Sequence, residues 1–355
     1  MAGERSGQRT ATQRKGNVEV LRYLFAYVIA VEHFCLKLPG VVLPAVDFFF
    51  LAAGCFQMRR MARETSFSPG RYLWERFTGL AFFYEASILL LTLFPEQGGG
   101  IVSVLGGLYR SIPDMLCLQM SGLFELHVNP PLWFISAMLL ASLALALLFS
   151  FSRRLFVHAL PVIALLCYAG LFFLQGNMDA IYAPNFLNPQ RYLIPLGTIR
   201  ALGGLSLGCL VWLFYERCRE GLQNKKYRMA LSAAEILAAV LTLYGALFRH
   251  HTAYDFYYLL FLPVILVCAL SQNTLWGGLT DRVGKALSAA LGKQFTLAVF
   301  CLHIPVIQLG GPLLRRLAGG SETGAALLFV LLLTAVSFAF TKASESFKRF
   351  VDKKR

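Results

Sequence analysis

Charge is scarce in this sequence: only 15% of its 355 residues are Asp, Glu, Lys or Arg, whereas about a quarter of a typical soluble domain is charged. Hydrophobic residues make up 57% of the chain, and its mean hydropathy is +0.60. The apolar residues come in blocks of roughly 17–22, long enough to cross a hydrocarbon core of about 30 Å. The composition therefore predicts an all-α, polytopic membrane helix bundle rather than a soluble domain.

Several motifs are missing as well, and each absence excludes a class of function. There is no P-loop, no dinucleotide-binding glycine pattern, no HExxH and no GxSxG. The eight cysteines form no CxxC pair, so a disulfide framework is not expected. No small-residue cleavage site follows the first apolar block, which we expect to be a retained span. His250 and His251 have no carboxylates or cysteines at metal-site spacing, so no metal is predicted.

Ten apolar blocks define ten candidate spans, at residues 18–36, 42–58, 77–94, 131–149, 155–174, 192–214, 230–248, 254–271, 294–313 and 324–342. With the N-terminus inside, the inner segments hold 25 of the 33 Lys and Arg, the outer loops six and the spans two. Because cytoplasmic loops are rich in Lys and Arg, both termini are predicted to be cytoplasmic. The net charge of +14 thus reflects contact with a lipid bilayer, and no nucleic-acid partner is expected.

The same pattern predicts the domain boundaries. Residues 1–17 are expected to be a disordered basic arm, 18–342 the transmembrane domain, and 343–355 a basic cytoplasmic tail attracted to anionic lipid. The outer loop at about 95–130 is too long for a simple connector, so we expect an interfacial or re-entrant segment in it.

The first span, VEVLRYLFAYVIAVEHFC, contains Arg22 and His33 in spite of the cost of placing such residues in lipid. Their separation is about three helical turns, so both side chains share one face, about 16 Å apart in depth. We expect that face to point into the bundle. In a purely structural alternative, Arg22 pairs with Glu19 and His33 belongs to a structural network. Glu32 falls roughly 80° off this face and has no assigned role.

Other polar residues lie within or at the ends of later spans. Asp47 is expected at the depth of His33, where its carboxylate would orient the imidazole. In the structural alternative, Asp47 caps the N-terminus of the second span, where the helix dipole favours a negative charge. His303 lies near the middle of its span and is either functional or a satisfied structural histidine. Glu85 and Arg200 are further intramembrane charges, and their pairing is left open.

Five arginines crowd the short inner segment between the second and third spans: Arg59, Arg60, Arg63, Arg71 and Arg76. Positive-inside bias alone explains such a cluster. Guanidinium groups also bind phosphates bidentately, so the cluster is in addition a candidate site for a phosphorylated cytoplasmic cofactor.

In order and spacing, these elements resemble the acyltransferase 3 family of integral membrane acyltransferases. The first span carries Arg22 and His33 with ten residues between them, and Asp47–Gly54 is similar to D-x-F-F-x-x-S-G with Ala53 in the serine position. Later in the chain, Pro131–Phe134 is similar to P-L-W-F, and Leu302–Pro305 around His303 is similar to the family's late histidine segment. Arg200 precedes a glycine-rich stretch, as an arginine of the sixth span does in the family.

One element departs from the family pattern. Where the family commonly has R-x-x-R entering the third span, this chain has Arg76-Phe77-Thr78-Gly79, with Phe82 at a common proline position. Arg71 and Arg22 are the candidates to compensate for the missing second arginine in donor binding.

The resemblance implies transfer of an acyl group, usually acetyl from acetyl-CoA, to a hydroxyl of a cell-surface or exported carbohydrate by a multi-pass cell-membrane enzyme. His33 would act as general base or as a transient acyl carrier. The implied site residues are His33, Asp47 and His303 for catalysis, Arg22, Arg76 and Arg71 for the acyl-CoA donor, and Arg200, Trp133 and Glu85 for the acceptor. Glycan-assembly enzymes are candidate partners, and no metal is expected.

Two other functions fit the same residues. Intramembrane charges also mark transport pathways, so a transporter or flippase for a glycan or small solute is one alternative. The incomplete R-x-x-R makes an inactive scaffold the other.

Overall fold

The computed structural model describes residues 15–35, 39–95, 100–123, 128–178 and 194–354. Within these residues it contains twelve α-helices and no strand, which confirms the predicted all-α fold. The helices are α1 (Gly16–Cys35), α2 (Val42–Arg63), α3 (Pro69–Leu93), α4 (Ile101–Met115), α5 (Trp133–Phe151), α6 (Arg153–Gln175), α7 (Leu196–Gln223), α8 (Arg228–Phe248), α9 (Tyr258–Ser271), α10 (Gly277–Leu291), α11 (Phe295–Leu317) and α12 (Glu322–Lys354). Most of the predicted N-terminal arm, residues 1–14, lies outside the described residues.

Nine of the described helical segments are long and apolar enough to cross a membrane: α2, α3, α5, α6, α7, α8, α9, α11 and α12, with α9 reaching this length together with the 3-10 turn before it, as Ala253–Ser271. They correspond to nine of the ten predicted spans. The last of them runs on to Lys354, so the predicted tail begins inside a continuous helix rather than after it. Its added turns return to α3, where Phe82 lies 6.4 Å from the ring of Phe347.

α1 is the remaining predicted span, and its two ends contact different helices of the bundle. At its start, the Gly16 N–H donates a hydrogen bond to Asp281 of α10 over 2.7 Å. Burial acts to raise the pKa of Asp281, but hydrogen bonds from Lys285 and the Gly16 N–H outweigh it and lower the pKa. Near its end, the ring of Phe34 stacks on Phe329 of α12, with 4.5 Å between the centroids. Its 20 residues are about the length of a membrane crossing.

Close packing of α2 on α7 sets the centre of the bundle. A Cβ atom on Gly54 would lie 2.1 Å from the Leu205 carbonyl oxygen, and one on Gly208 would lie 2.1 Å from that of Leu51. Real Cβ atoms do not approach so closely, so only glycine allows these backbones to touch. The glycine-rich stretch of α7 therefore serves helix packing, as small residues do in membrane helices.

The long segment after α3 forms the amphipathic helix α4. Apolar side chains are exposed along α4, a pattern typical of helices at a lipid–water boundary; they are Ile101, Val102, Leu105, Tyr109 and Ile112. At its C-terminal end, Asp114 is fully buried and accepts a 3.0 Å hydrogen bond from the Val128 N–H. Part of this segment, residues 96–99 and 124–127, lies outside the described residues.

Candidate active site

Two histidines from different helices face each other inside the bundle. The rings of His33 in α1 and His303 in α11 are 5.1 Å apart between centroids. His33 Nδ1 lies 2.8 Å from the Ile29 carbonyl oxygen, and His303 Nδ1 lies 2.6 Å from that of Phe300. Because a carbonyl only accepts, both Nδ1 atoms carry the hydrogen, and each Nε2 is left to act as a base. Nε2 of His303 is buried and has no hydrogen-bond partner among the described residues.

His33 opens into a cavity of about 200 Å³, here called the histidine cavity. Its walls combine apolar side chains with imidazole, carboxylate and guanidinium groups: Ile29, Glu32, His33, Val42, Leu43, Val46, Pro131, Trp133, Phe134, Arg200, His251 and Phe300. Two of the residues predicted to bind the acceptor, Arg200 and Trp133, are among them. His251 was not predicted as a site residue; it comes from the turn after α8. The carboxylate of Glu32 lies 3.8 Å from His33 Nδ1.

Asp47 does not orient His33, which corrects the contact expected between them. Its carboxylate instead receives two hydrogen bonds from Arg200 of α7, at 2.8 Å from Nε and 3.0 Å from Nη2. Arg200 also donates to the Leu43 carbonyl oxygen over 3.1 Å. Both side chains are almost completely buried, with 1% and 3% of Arg200 and Asp47 exposed. The Ile29 carbonyl, one turn earlier in α1, takes the orienting position beside His33.

A second cavity of about 350 Å³, the arginine cavity, lies toward the N-terminal part of α1 and the α2–α3 junction. We call this face of the bundle the basic face; the sequence predicts that it is cytoplasmic. The lining residues include three guanidinium groups: Arg22, Phe49, Ala52, Ala53, Phe56, Gln57, Arg60, Tyr72, Arg76, Leu80, Phe134, Ile135, Met138, Thr296, Leu297 and Phe300.

The three arginines of this cavity differ in how their charge is balanced. Arg22 is paired with Glu19 at 3.0 Å, as the structural alternative proposed, and lines the cavity as well. Arg60 is paired with Glu64 at 2.7 Å and also with Glu75. The contacts of Arg76 within the described residues are neutral: the Tyr72 hydroxyl and ring, and the Met138 sulfur at 3.5 Å.

The positive charge of Arg76 is therefore the one that no described carboxylate balances, and it is the best placed to bind an anion.

Four predicted site residues line neither cavity: Asp47 and His303, whose contacts are given above, and Arg71 and Glu85. Arg71 is exposed on α3, where it donates to the Ser66 carbonyl oxygen over 3.3 Å and lies 3.7 Å from Glu64. Glu85 is half-buried in α3. It is not the partner of Arg200, whose charge is matched by Asp47.

The two cavities share the side chains of Phe134 and Phe300. Their ring centroids are 5.6 Å apart, and Phe49 completes a triangle with them at 6.1 and 6.4 Å. We call these three residues the phenylalanine wall. The ring of His303 lies 5.9 Å from that of Phe300, so the second histidine contacts the wall directly. Arg22 and His33 of one helix thus open into cavities on opposite sides of an aromatic partition.

Two cavities with charged groups in otherwise apolar walls, sharing one aromatic wall inside a membrane bundle, suit an enzyme that brings two substrates together. Comparison with protein-family models matches residues 16–342 to the acyltransferase 3 family, described as an acyltransferase domain. Since the match covers nearly the whole chain, the protein belongs to this family and is a multi-pass membrane acyltransferase. Comparisons with curated proteins and with solved structures gave no match.

Proposed function

We propose that the protein transfers an acetyl group from acetyl-CoA, bound at the arginine cavity, to a hydroxyl of a cell-surface or exported carbohydrate in the histidine cavity. The observation that carries this proposal is the phenylalanine wall, which places Arg76 and His33 on opposite sides of one partition. A phosphorylated donor on the basic face and a hydroxyl-bearing acceptor on the other then need to meet only at the wall.

Donor binding rests on the arginine cavity. The guanidinium of Arg76 would bind a phosphate of the donor. Arg22 and Arg60 would add positive potential, which their carboxylate partners partly cancel. The remaining walls are largely apolar and end at the phenylalanine wall, which suits the thioester arm. The acyl carbon would then lie at the wall, within reach of a group on its other side.

The chemical step needs a base at the acceptor. His33 Nε2 takes the proton of the acceptor hydroxyl while its oxygen attacks the acyl carbon. A carbon–oxygen bond forms, the carbon–sulfur bond breaks, and the thiolate leaves on the donor side. His303, next to both His33 and the wall, is the group placed to pass the proton to that sulfur. The products are an ester and free CoA, so protons and electrons balance without a metal or redox partner.

The proposal is tested by comparing surface carbohydrate from cells that make the wild-type protein with that from cells that make a His33→Ala protein at equal abundance. We expect wild-type material to carry alkali-labile groups with the mass of one acetyl unit, and the mutant material to lack them. Acetyl-CoA-independent movement of a glycan or solute in proteoliposomes, with no ester formed, would instead support a transporter.

Arg76→Gln is expected to raise the KM for acetyl-CoA by about tenfold or more, because a charge-assisted hydrogen bond to phosphate is lost. Steady-state kinetics at saturating acceptor would measure it. Arg71→Gln, which removes an exposed arginine of the same helix, is the matched control and should leave this KM nearly unchanged. Equal effects of the two changes would contradict the assignment of donor binding to the arginine cavity.

Phe300→Ala is expected to uncouple the two cavities. Removing one ring of the phenylalanine wall admits water to the thioester, so release of free CoA without acceptor should rise severalfold while ester formation falls. Phe173→Ala is the control, since that ring is 83% exposed on α6. A thiol assay with and without acceptor distinguishes the outcomes; a fall in both rates with no gain in hydrolysis would mean that the wall does not exclude water.

A further inference from the structure

The extension of α12 brings a lysine close to two segments that contribute residues to the arginine cavity. Lys348 Nζ donates a hydrogen bond to Gln294 Oε1 over 2.7 Å. The same amide donates from Nε2 to the Gly79 carbonyl oxygen over 2.6 Å. The Gln294 carboxamide thus joins the end of α12 to α3. It connects the Lys348 ammonium to the Gly79 carbonyl oxygen through two successive hydrogen bonds.

Both segments joined at this junction contribute a nearby residue to the arginine cavity. Leu80 follows Gly79 and lines the cavity from α3, and Thr296 lies two residues after Gln294 and lines it from α11. A Cβ atom placed on Gly79 would meet nothing within 4 Å. The structure therefore has open space at Gly79 and a cation linked to it through Gln294.

The ammonium of Lys348 also differs from other lysines in its partners. Lys285 is paired with Asp281 at 2.6 Å, and Lys342, on the same helix, is paired with Glu345 at 3.5 Å. Among the described residues, the hydrogen-bond partner of Lys348 is the neutral amide of Gln294. An ammonium has three donors, so it keeps hydrogen-bonding capacity and an unbalanced charge for an anion.

We propose that Lys348 binds a phosphate of the acyl-CoA donor at the mouth of the arginine cavity. This inference rests on the function proposed above. It assigns to the C-terminal helix the positive charge that the segment Arg76-Phe77-Thr78-Gly79 lacks at its last position. Arg71, expected to compensate, is turned away from the cavity, and the charge of Arg22 is already matched by Glu19. A lysine acts there as a flexible point charge rather than as a bidentate clamp.

The test is equilibrium binding of labelled CoA to the full-length protein in detergent at low salt. Lys348→Gln is expected to weaken CoA affinity about tenfold, the usual scale for losing one charged hydrogen bond. Lys348→Arg should bind nearly as well as wild type. Lys342→Gln, six residues away on α12 and paired with Glu345, should also bind nearly as well. Raising the salt should shrink the difference between wild type and Lys348→Gln, because exposed charges are screened.

Gly79→Arg, introduced into the Lys348→Gln protein, provides the second arm. The open space at Gly79 can accept the side chain, so CoA affinity should be restored. If the Lys348→Gln protein binds CoA with wild-type affinity and the Arg76→Gln protein binds it more weakly, Lys348 has no role in binding, while donor binding at the arginine cavity still stands. Absence of CoA binding by the wild-type protein would instead overturn the proposed function itself.

Discussion

Replacing His33 with alanine is expected to lower acyl transfer by about 10²–10⁴-fold, the range that a general base contributes. The change removes the one Nε2 that faces the histidine cavity from α1. Donor affinity should stay within about twofold of wild type, since His33 lies beyond the phenylalanine wall from the arginine cavity. Initial rates and CoA binding measured on the same preparation separate the two effects.

His158→Ala is the matched control for this result. His158 makes the same type of contact, from Nδ1 to the carbonyl oxygen of Arg154 four residues earlier over 2.7 Å, but on an exposed face of α6. Its loss should leave the rate unchanged. A His33→Ala protein that is folded, binds CoA and still transfers the acyl group at the wild-type rate would remove His33 from the mechanism.

Replacing Arg200 with methionine is expected to cost about 3–5 kcal/mol of stability, because it leaves the Asp47 carboxylate buried without its partner. Abundance and thermal stability in detergent measure this loss. Asp47→Leu should cause a comparable loss, since the guanidinium would then be buried alone. These are the largest stability effects that we expect from any single change in the bundle.

The double variant, Asp47→Leu with Arg200→Met, separates folding from function. Removing both charges together is often nearly neutral for stability, so the double variant should recover much of the abundance that either single change loses. Because Arg200 lines the histidine cavity, acyl transfer should remain low even though the protein folds. Full activity in the double variant would show that the ion pair serves structure alone; abundance no better than that of the single variants would show that the pair is not an independent unit.

Periodicity within one helix was sufficient to predict the most important feature of the site. Helical spacing predicts Arg22 and His33 on one face at different depths, and in the structure they line the arginine and histidine cavities, respectively. The result follows because helical rise and turn are fixed by the backbone. Hydropathy likewise predicts the nine apolar spans and the all-α fold class.

Helical periodicity and hydropathy do not predict which distant segments contact each other. The partner of Asp47 comes from α7, 153 residues away, and nothing in the local pattern of α2 favours Arg200 over His33. His251 reaches the histidine cavity from a turn in which its own backbone adopts φ of +57°. Hydropathy marks where α12 leaves the membrane but not that its last turns pack against α3. These features depend on how helices pack, which a single sequence does not specify locally.

The phenylalanine wall also bears on the membrane as an electrical insulator. In the proposed arrangement, the two cavities are entered from opposite faces, and the aromatic rings of the wall are what separates two aqueous phases. Moving one elementary charge through 100 mV releases or requires about 2.3 kcal/mol, so a continuous water path here would discharge ion gradients. In the proposed reaction, an uncharged acetyl group would cross the wall while the anionic remainder of the donor stays behind. Such a transfer would export the chemical energy of a thioester without opening a conductance for ions.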